Sequence, residues 1–520
     1  MPQYITKTAM NIKQKVLLII LDGLGVAPDS PGNAVVKANT PNLSSLWSTS
    51  PHTYLLASGE AVGLPKEVKG NSEVGHLNIG AGRVITQTLP RIDQSIKKGL
   101  FFKNNTLEEA FKYAQRFNSR VHLLGLLSDG SVHSHISHFE AVIKFFAEKG
   151  LKSPLFLHAF TDGRDSPPSS ALTYFDRIQK VMDNYSLGKI ATICGRAWAM
   201  DRNESWDRTK KAYDLLTLNS GNTCPSFTQC VQKSYENKIA DEFIEPTVII
   251  PDSMIKPRDV VLFLNFRPDR ALQLSKALVD SSFTHFRRIN IYPIFFASMV
   301  EYRKKFPPKV LFPKQYITYP IGNIIASSGL RQLRIAESEK FPHVTYFFNG
   351  GASIRYTNED RIEIPSPSVP TYDTKPEMSA VELTNQLLGK IESNIYDFIV
   401  VNYANPDMVG HTGNLEATIK AIETVDVCVG QLVKTFTIRG GAVIITADHG
   451  NAEEVINLDT GQTDTEHSFN PVPFLISGLN IAPRNLPYGA LKDITPTILN
   501  IMGIPIPSDM TGFSLLNSTF

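Results

Sequence analysis

Cysteine is scarce. There are four in 520 residues, Cys194, Cys224, Cys230 and Cys428, and no two form a CxxC pair. So few in so long a chain exclude a disulfide framework and fit a reducing compartment. Long apolar runs are missing too: stretches such as Val16–Leu21 fall far short of the roughly 20 residues that a bilayer span requires. Lys7, Lys13 and Lys15 precede that run, but Asp22 ends it and no small-residue cleavage site follows, so it does not read as a signal peptide. A cytoplasmic protein with no membrane partner is expected. Charge of one sign is not in excess either. The formal net charge is +2, which removes any global electrostatic case for nucleic acid or anionic lipid. Repeats and low-complexity tracts are also lacking.

What is present is an ordinary globular balance, 42% hydrophobic and 20% charged, in a chain long enough for two or more domains. One pattern recurs. Short aliphatic runs break off into polar residues: VLLIILDG (16–23), HLLGLLSDG (122–130), LFLHAFTDGRD (155–165), ATICGRAWAMDR (191–202), VVLFLNFRPDR (260–270), DFIVVNYANPD (397–407) and AVIITADHG (442–450). Runs this short and this apolar suit buried parallel strands. The intervening SALTYFDRIQKVM and EATIKAIETVDVCVGQLVKTF carry helical spacing. The expected class is α/β, with helix-covered open sheets. Ligands of such sheets bind beyond the carboxyl ends of the strands. Asp22, Asp162, Arg164, Arg196, Arg267, Asp407 and Asp448 all follow a run directly.

Three of the twelve histidines stand beside carboxylates or glycine on expected loops: His411 in NPDMVGHTG, His449 in TADHGN and His467 in TDTEHSFNPVP. Asp407 and His411, four apart, can share one face of a helical turn and grip one ion. Carboxylates with some imidazole suit borderline divalent ions and favour Mn²⁺ modestly over Zn²⁺. Two ions about 3.5–4 Å apart would clamp both oxygens of a phosphoryl transfer. His133, His135 and His138 could suggest a further metal site, a reading the first set makes superfluous.

The segment GNSEVGHLNIGAGR (70–83) sets Ser72 among small residues. A serine hydroxyl needs a base or a metal to become a nucleophile. GxSxG is absent here and no Ser–His–Asp order is compelling, which disfavours an acyl-transfer triad. Metal activation remains. The competing expectation is structural: Ser72 as a helix N-cap with Glu73 in the first turn. Arg164, Arg196, Arg202, Arg267, Arg270 and Lys340 form a set of cations just after apolar runs or in polar loops. Arginine forks match carboxylate and phosphate oxygens.

Taken in order, LDGLG, GNSEVGHLNIGAGR, SDGSVHSH, TDGRDSPP, GRAWAMDR, NFRPDR, AESEKFPHVTYFFNGG, NPDMVGHTG, TADHGNAE and HSFNPVPF span residues 16 to about 475. This series resembles the cofactor-independent phosphoglycerate mutases of the alkaline-phosphatase-like metalloenzymes. The resemblance implies an alkaline-phosphatase-like domain (1–86 and 312–520) with an inserted transferase domain (87–311), joined by strands near 80–90 and 305–320. It implies two divalent ions, most often Mn²⁺, with Co²⁺, Mg²⁺ or Zn²⁺ as alternatives. Asp407, His411 and His467 would hold one, and Asp22, Ser72, Asp448 and His449 the other. It assigns substrate contact to His133, Arg164, Asp165, Arg196, Arg202, Arg267, Arg270 and Lys340, and it implies a monomer. The expected activity is interconversion of 3-phosphoglycerate and 2-phosphoglycerate without 2,3-bisphosphoglycerate. Ser72 becomes a phosphoserine, Asp165 serves as general acid/base, Lys340 neutralises charge, and domain closure excludes water.

This sequence departs from the pattern at Ala197-Trp198, at Ser205 and in an N-terminal extension of about ten residues. The rivals are a phosphohydrolase, a phosphopentomutase and a non-enzymatic scaffold. The central arginine series argues against the first two, and the intact set of ligands and nucleophile against the third.

Overall fold

A computed structural model of the chain describes residues 13–307, 309–315, 317–457 and 460–516. The N-terminal extension lies outside the described residues. The chain forms two compact units, Met1–Gln87 with Tyr316–Phe520, and Thr88–Gln315. Each is a sheet covered by helices, so the α/β class expected from the apolar runs is what the structure shows.

In the first unit the sheet runs in the order Glu359–Ile364, Gln332–Glu337, Phe398–Tyr403, Val16–Leu21, Ala442–Thr446, Val472–Ser477, His52–Leu56, Gly489–Ala490. The first five strands are mutually parallel, and the antiparallel pairings are those of Val472–Ser477 with its two neighbours. Every residue of Val16–Leu21 is buried, as a central strand covered on both faces must be. Helices Ala380–Glu392 and Leu415–Ile438 pack together on the sheet, while Ser72–Ala81 and Ile494–Met502 form another packed pair.

The second unit repeats this logic in the order Val310–Phe312, Phe295–Val300, Val260–Phe263, Val121–Leu126, Leu155–Thr161, Lys189–Gly195, Thr247–Val248, Asn222–Thr223. Among the described residues only Thr247–Val248 against Lys189–Gly195 is antiparallel. Its core is dense in phenylalanine, with Phe139, Phe145, Phe146, Phe160, Phe175 and Phe263 fully buried.

Two local expectations differ from the structure. Residues 80–90 hold no strand: the helix Ser72–Ala81 ends at Gly82, and a new helix, Thr88–Lys97, begins after an irregular run. Ser72 is not the N-cap. Asn71 is, its side chain accepting a hydrogen bond from Val74 N at 3.0 Å, which makes Ser72 the first helical residue. Asparagine caps as well as serine does.

Candidate functional site

Both sheets put their chemistry at the carboxyl ends of four adjacent strands. In the first unit these are Gln332–Glu337, Phe398–Tyr403, Val16–Leu21 and Ala442–Thr446, and the residues that follow them include Lys340, Asp407, Asp22, and Asp448 with His449. Close approach is possible because two positions lack a side chain. Gly23 has φ +73°, and a Cβ there would lie 2.7 Å from Asp407 Cβ. A Cβ on Gly75 would meet the Asp448 carbonyl oxygen at 2.6 Å.

The resulting cluster is buried except at His411 and His467, whose side chains are 38% and 20% exposed. Asp407 Oδ1 lies 3.3 Å from His411 Nε2 and 3.4 Å from His467 Nε2. Asp22 Oδ1 is 3.4 Å from His449 Nε2, which is 3.7 Å from Asp448 Oδ2. Asp407, His411 and His467 form one group able to hold a metal ion, and Asp22, Asp448 and His449 form another. His449 Nε2 also lies 3.9 Å from Asp407 Oδ1, so the two groups adjoin. The Ser72 hydroxyl donates to Asp22 Oδ1 at 3.1 Å and stands 2.9 Å from His449 Nε2. Lys340 Nζ donates to Asp22 Oδ1 and Asp407 Oδ2, both at 2.6 Å, and to Ser72 Oγ at 2.8 Å.

The donors fit divalent ions. His411 Nδ1 donates to Thr465 O at 2.7 Å and His467 Nδ1 to Gly70 O at 2.8 Å. Those bonds place the ring proton on Nδ1 and turn both Nε2 lone pairs inward, where they lie 3.1 Å apart. Two lone pairs so close call for a cation between them and Asp407. Asp448 Oδ2 is buried without a hydrogen-bond partner. Three buried carboxylates, those of Asp22, Asp407 and Asp448, converge there. Burial would lower the His449 pKa, but Asp448 and the hydrogen bond to Asp22 outweigh it and push it up to about 10. Burial would likewise raise Asp22, yet the Lys340 charge and His449 hold it well below the usual carboxylate range.

Sequence reasoning missed a supporting layer. His76 Nδ1 donates to Ser72 O at 2.9 Å, Asn402 Nδ2 donates to Asp22 Oδ2 at 2.7 Å, and Asn451 Nδ2 donates to Asp407 Oδ1 at 2.8 Å. The signal for Asn402 was a lone polar residue inside FIVVNY.

In the second unit the strands are Val260–Phe263, Val121–Leu126, Leu155–Thr161 and Lys189–Gly195. Buried Asp162 organises the loop after the third. It accepts from Asp165 N at 3.0 Å, Arg164 N at 3.2 Å, Ser128 Oγ at 2.6 Å and Arg196 Nη1 at 2.5 Å. Arg196 Nη1 also donates to Asp165 Oδ2 at 2.6 Å. Asp269, also passed over in the sequence, faces Arg202 Nη1 at 2.9 Å, Arg267 Nε at 3.3 Å and His133 Nδ1 at 3.5 Å. Burial, reinforced by the Arg196 charge, pushes the His133 pKa down to about 4, so this imidazole is neutral. His133 Nε2 stands 4.0 Å from Asp165 Oδ2. Arg164 reaches Glu242 at 3.4 Å, and Arg270 Nη1 donates to Met200 O at 3.3 Å. His135 instead caps the helix Ile136–Glu148, and His138 bonds Asp93, so the three neighbouring histidines diverge.

Lys340 is thus the one expected substrate-contact residue that lies in the first unit; the other seven gather in the second. No helix among the described residues is long and apolar enough to cross a membrane.

Residues 14–506 match the family model of the Metalloenzyme superfamily, and the chain belongs to that class of enzymes. Proteins named 2,3-bisphosphoglycerate-independent phosphoglycerate mutase share 47% identity in Clostridium beijerinckii, over 97% of this chain and 99% of that one, and 48% in Thiobacillus denitrificans, over 96% and 98%. A crystal structure of Leishmania mexicana phosphoglycerate mutase, determined at low cobalt concentration, aligns with TM-score 0.60 and 31% identity over 98% of each chain. Within the superfamily this chain belongs to the 2,3-bisphosphoglycerate-independent phosphoglycerate mutases. It is an isomerase that interconverts 3-phosphoglycerate and 2-phosphoglycerate.

Proposed function

We propose that the isomerisation runs through a phosphoserine at Ser72. The observation that carries this reading is the convergence on Ser72 Oγ of Asp22, His449 Nε2 and the Lys340 ammonium, at 3.1, 2.9 and 2.8 Å. Two divalent ions, Mn²⁺ foremost, fit Asp407, His411 and His467 on one side and Asp22, Ser72, Asp448 and His449 on the other, and when bound they supply the positive charge that activates a hydroxyl and offsets phosphoryl oxygens. Ser72 Oγ, its proton given up to solvent beforehand, attacks phosphorus as the bond from phosphorus to the substrate oxygen breaks; the second hydroxyl of the glycerate then attacks phosphorus, and the bond from phosphorus to Ser72 Oγ breaks. Lys340 Nζ donates to the phosphoryl oxygens as negative charge builds. His133, Arg164, Arg196, Arg202, Arg267 and Arg270 hold the glycerate, which keeps the second hydroxyl at high effective concentration. Asp165 passes a proton to the hydroxyl that leaves and takes one from the hydroxyl that attacks. Arg196 donates to the Asp165 carboxylate at 2.6 Å and neutral His133 stands 4.0 Å from it, contacts that fix the position of the group. The enzyme acts as a cytoplasmic monomer.

The test follows 3-phosphoglycerate with Mn²⁺, without 2,3-bisphosphoglycerate, while tracking free phosphate. The reading expects 2-phosphoglycerate with little free phosphate, and loss of activity in EDTA. Free phosphate as the main product would mean that water, not glycerate, receives the phosphoryl group.

A further inference from the structure

A cavity of about 210 Å³ in the second unit is lined by five guanidiniums, those of Arg164, Arg196, Arg202, Arg208 and Arg270. Their commitments differ. Arg196 is tied to Asp162 and Asp165, Arg202 to Asp269, and Arg164 to Glu242. Arg270 makes one 3.3 Å bond to a carbonyl and has no carboxylate partner among the described residues. Arg208 has no ion pair among them either; it is exposed, in the first turn of the helix Trp206–Leu218. Two guanidiniums therefore open on the same cavity without a carboxylate partner among the described residues. Burial first, then the like charges of Arg202, Arg196 and Arg164, lower the Arg270 pKa, the mark of a cluster short of an anion.

We propose that Arg208 is a further substrate-binding residue which, with Arg270, takes the carboxylate of the glycerate moiety and selects an acid over the corresponding alcohol. This rests on the function proposed above. Once the phosphoryl group has left, the retained glycerate carries one charge, its carboxylate. Retention must therefore rest on groups that can grip two oxygens in a plane, and two guanidinium forks match that geometry. A lysine offers a point charge instead, so Arg208→Lys is the informative conservative change.

The experiment measures D-glycerate and inorganic phosphate binding to the Mn²⁺-loaded enzyme by calorimetry for the wild type, Arg208→Ala, Arg208→Lys and Arg270→Ala. Arg208→Ala is expected to weaken D-glycerate about tenfold or more, from loss of charge-assisted hydrogen bonds, and to leave phosphate within about twofold. Arg208→Lys should recover only part of the glycerate loss. Equal weakening of phosphate and glycerate would overturn the proposal, because Arg208 would then act as a general cation. Wild-type glycerate affinity in Arg208→Ala, with a loss in Arg270→Ala, would overturn it and leave the proposed function intact. Wild-type affinity in both would overturn the assignment of this cavity to substrate as well.

Discussion

Lys340 carries its ammonium among buried carboxylates, 2.6 Å from both Asp22 and Asp407. Burial would depress its pKa, but those two charges outweigh the penalty and hold it above the usual lysine range. Removing one partner of a buried charge cluster leaves the rest uncompensated, at about 3–5 kcal/mol. Lys340→Met should therefore unfold at lower temperature than the wild type in EDTA, and Mn²⁺ should restore part of the difference. Thermal unfolding with and without the ion checks this; a variant as stable as the wild type in EDTA would contradict it. At this scale the sequence was readable where a charged residue follows an apolar run, as at Asp22, Asp407 and Asp448. It was not readable where a residue acts only through a distant partner. The Ser72–His449 contact spans 377 positions, so no local spacing could reveal it. Asp269, whose partner Arg202 lies 67 positions away, was hidden for the same reason.

Elements hold these residues in place, and the helix Ser72–Ala81 is the most constrained of them. Alanine in place of a helical glycine ordinarily stabilises by up to about 1 kcal/mol. Gly75→Ala should do the opposite here, because its Cβ would press on the Asp448 carbonyl oxygen at 2.6 Å. Overpacking of this kind costs about 1–3 kcal/mol and would push Asp448 away from His449. Denaturant unfolding and activity should fall together; a more stable, fully active variant would contradict the packing argument.

The second unit carries a polar line across its sheet. Arg120 Nη2 donates to Asp259 at 2.8 Å, His122 Nε2 to Asp259 at 3.0 Å, His158 Nε2 to His122 Nδ1 at 2.9 Å, and Thr192 Oγ1 to His158 Nδ1 at 2.9 Å. The direction is forced, because the carboxylate can only accept. Burial holds both histidines below 6.5, His158 well below. In the unfolded chain they take up protons near pH 6.5. Their contribution is complete above that pH. As pH falls below it the unfolded state binds protons that the folded state does not, and stability drops by up to about 2.7 kcal/mol per pH unit for the two. Urea unfolding between pH 7.5 and 5.5 should show this drop, and His158→Gln should make it shallower. An unchanged slope in the variant would contradict the assignment. Apolar runs made the strands legible, but these histidines sit inside two of them and their pairing depends on register. The expected strand near residues 80–90 failed because helix ends and irregular connections leave little periodic trace.

Across the whole molecule, two sheets separately gather charged side chains at the carboxyl ends of four neighbouring strands each. One set is acidic and histidine-rich, the other dominated by arginine. Under the function proposed above, the first set would pass the phosphoryl group and the second would keep the glycerate. The class and the activity were legible from the order of the motifs.

The central claim is that Ser72 itself carries the phosphoryl group. The most direct measurement quenches the Mn²⁺-loaded enzyme with acid during turnover of 3-phosphoglycerate and maps phosphate on its peptides by mass spectrometry. Phosphate is expected on the peptide bearing Ser72, absent in EDTA, with no isomerisation by Ser72→Ala. An unmodified Ser72 peptide during active turnover, together with substantial isomerisation by Ser72→Ala, would contradict it.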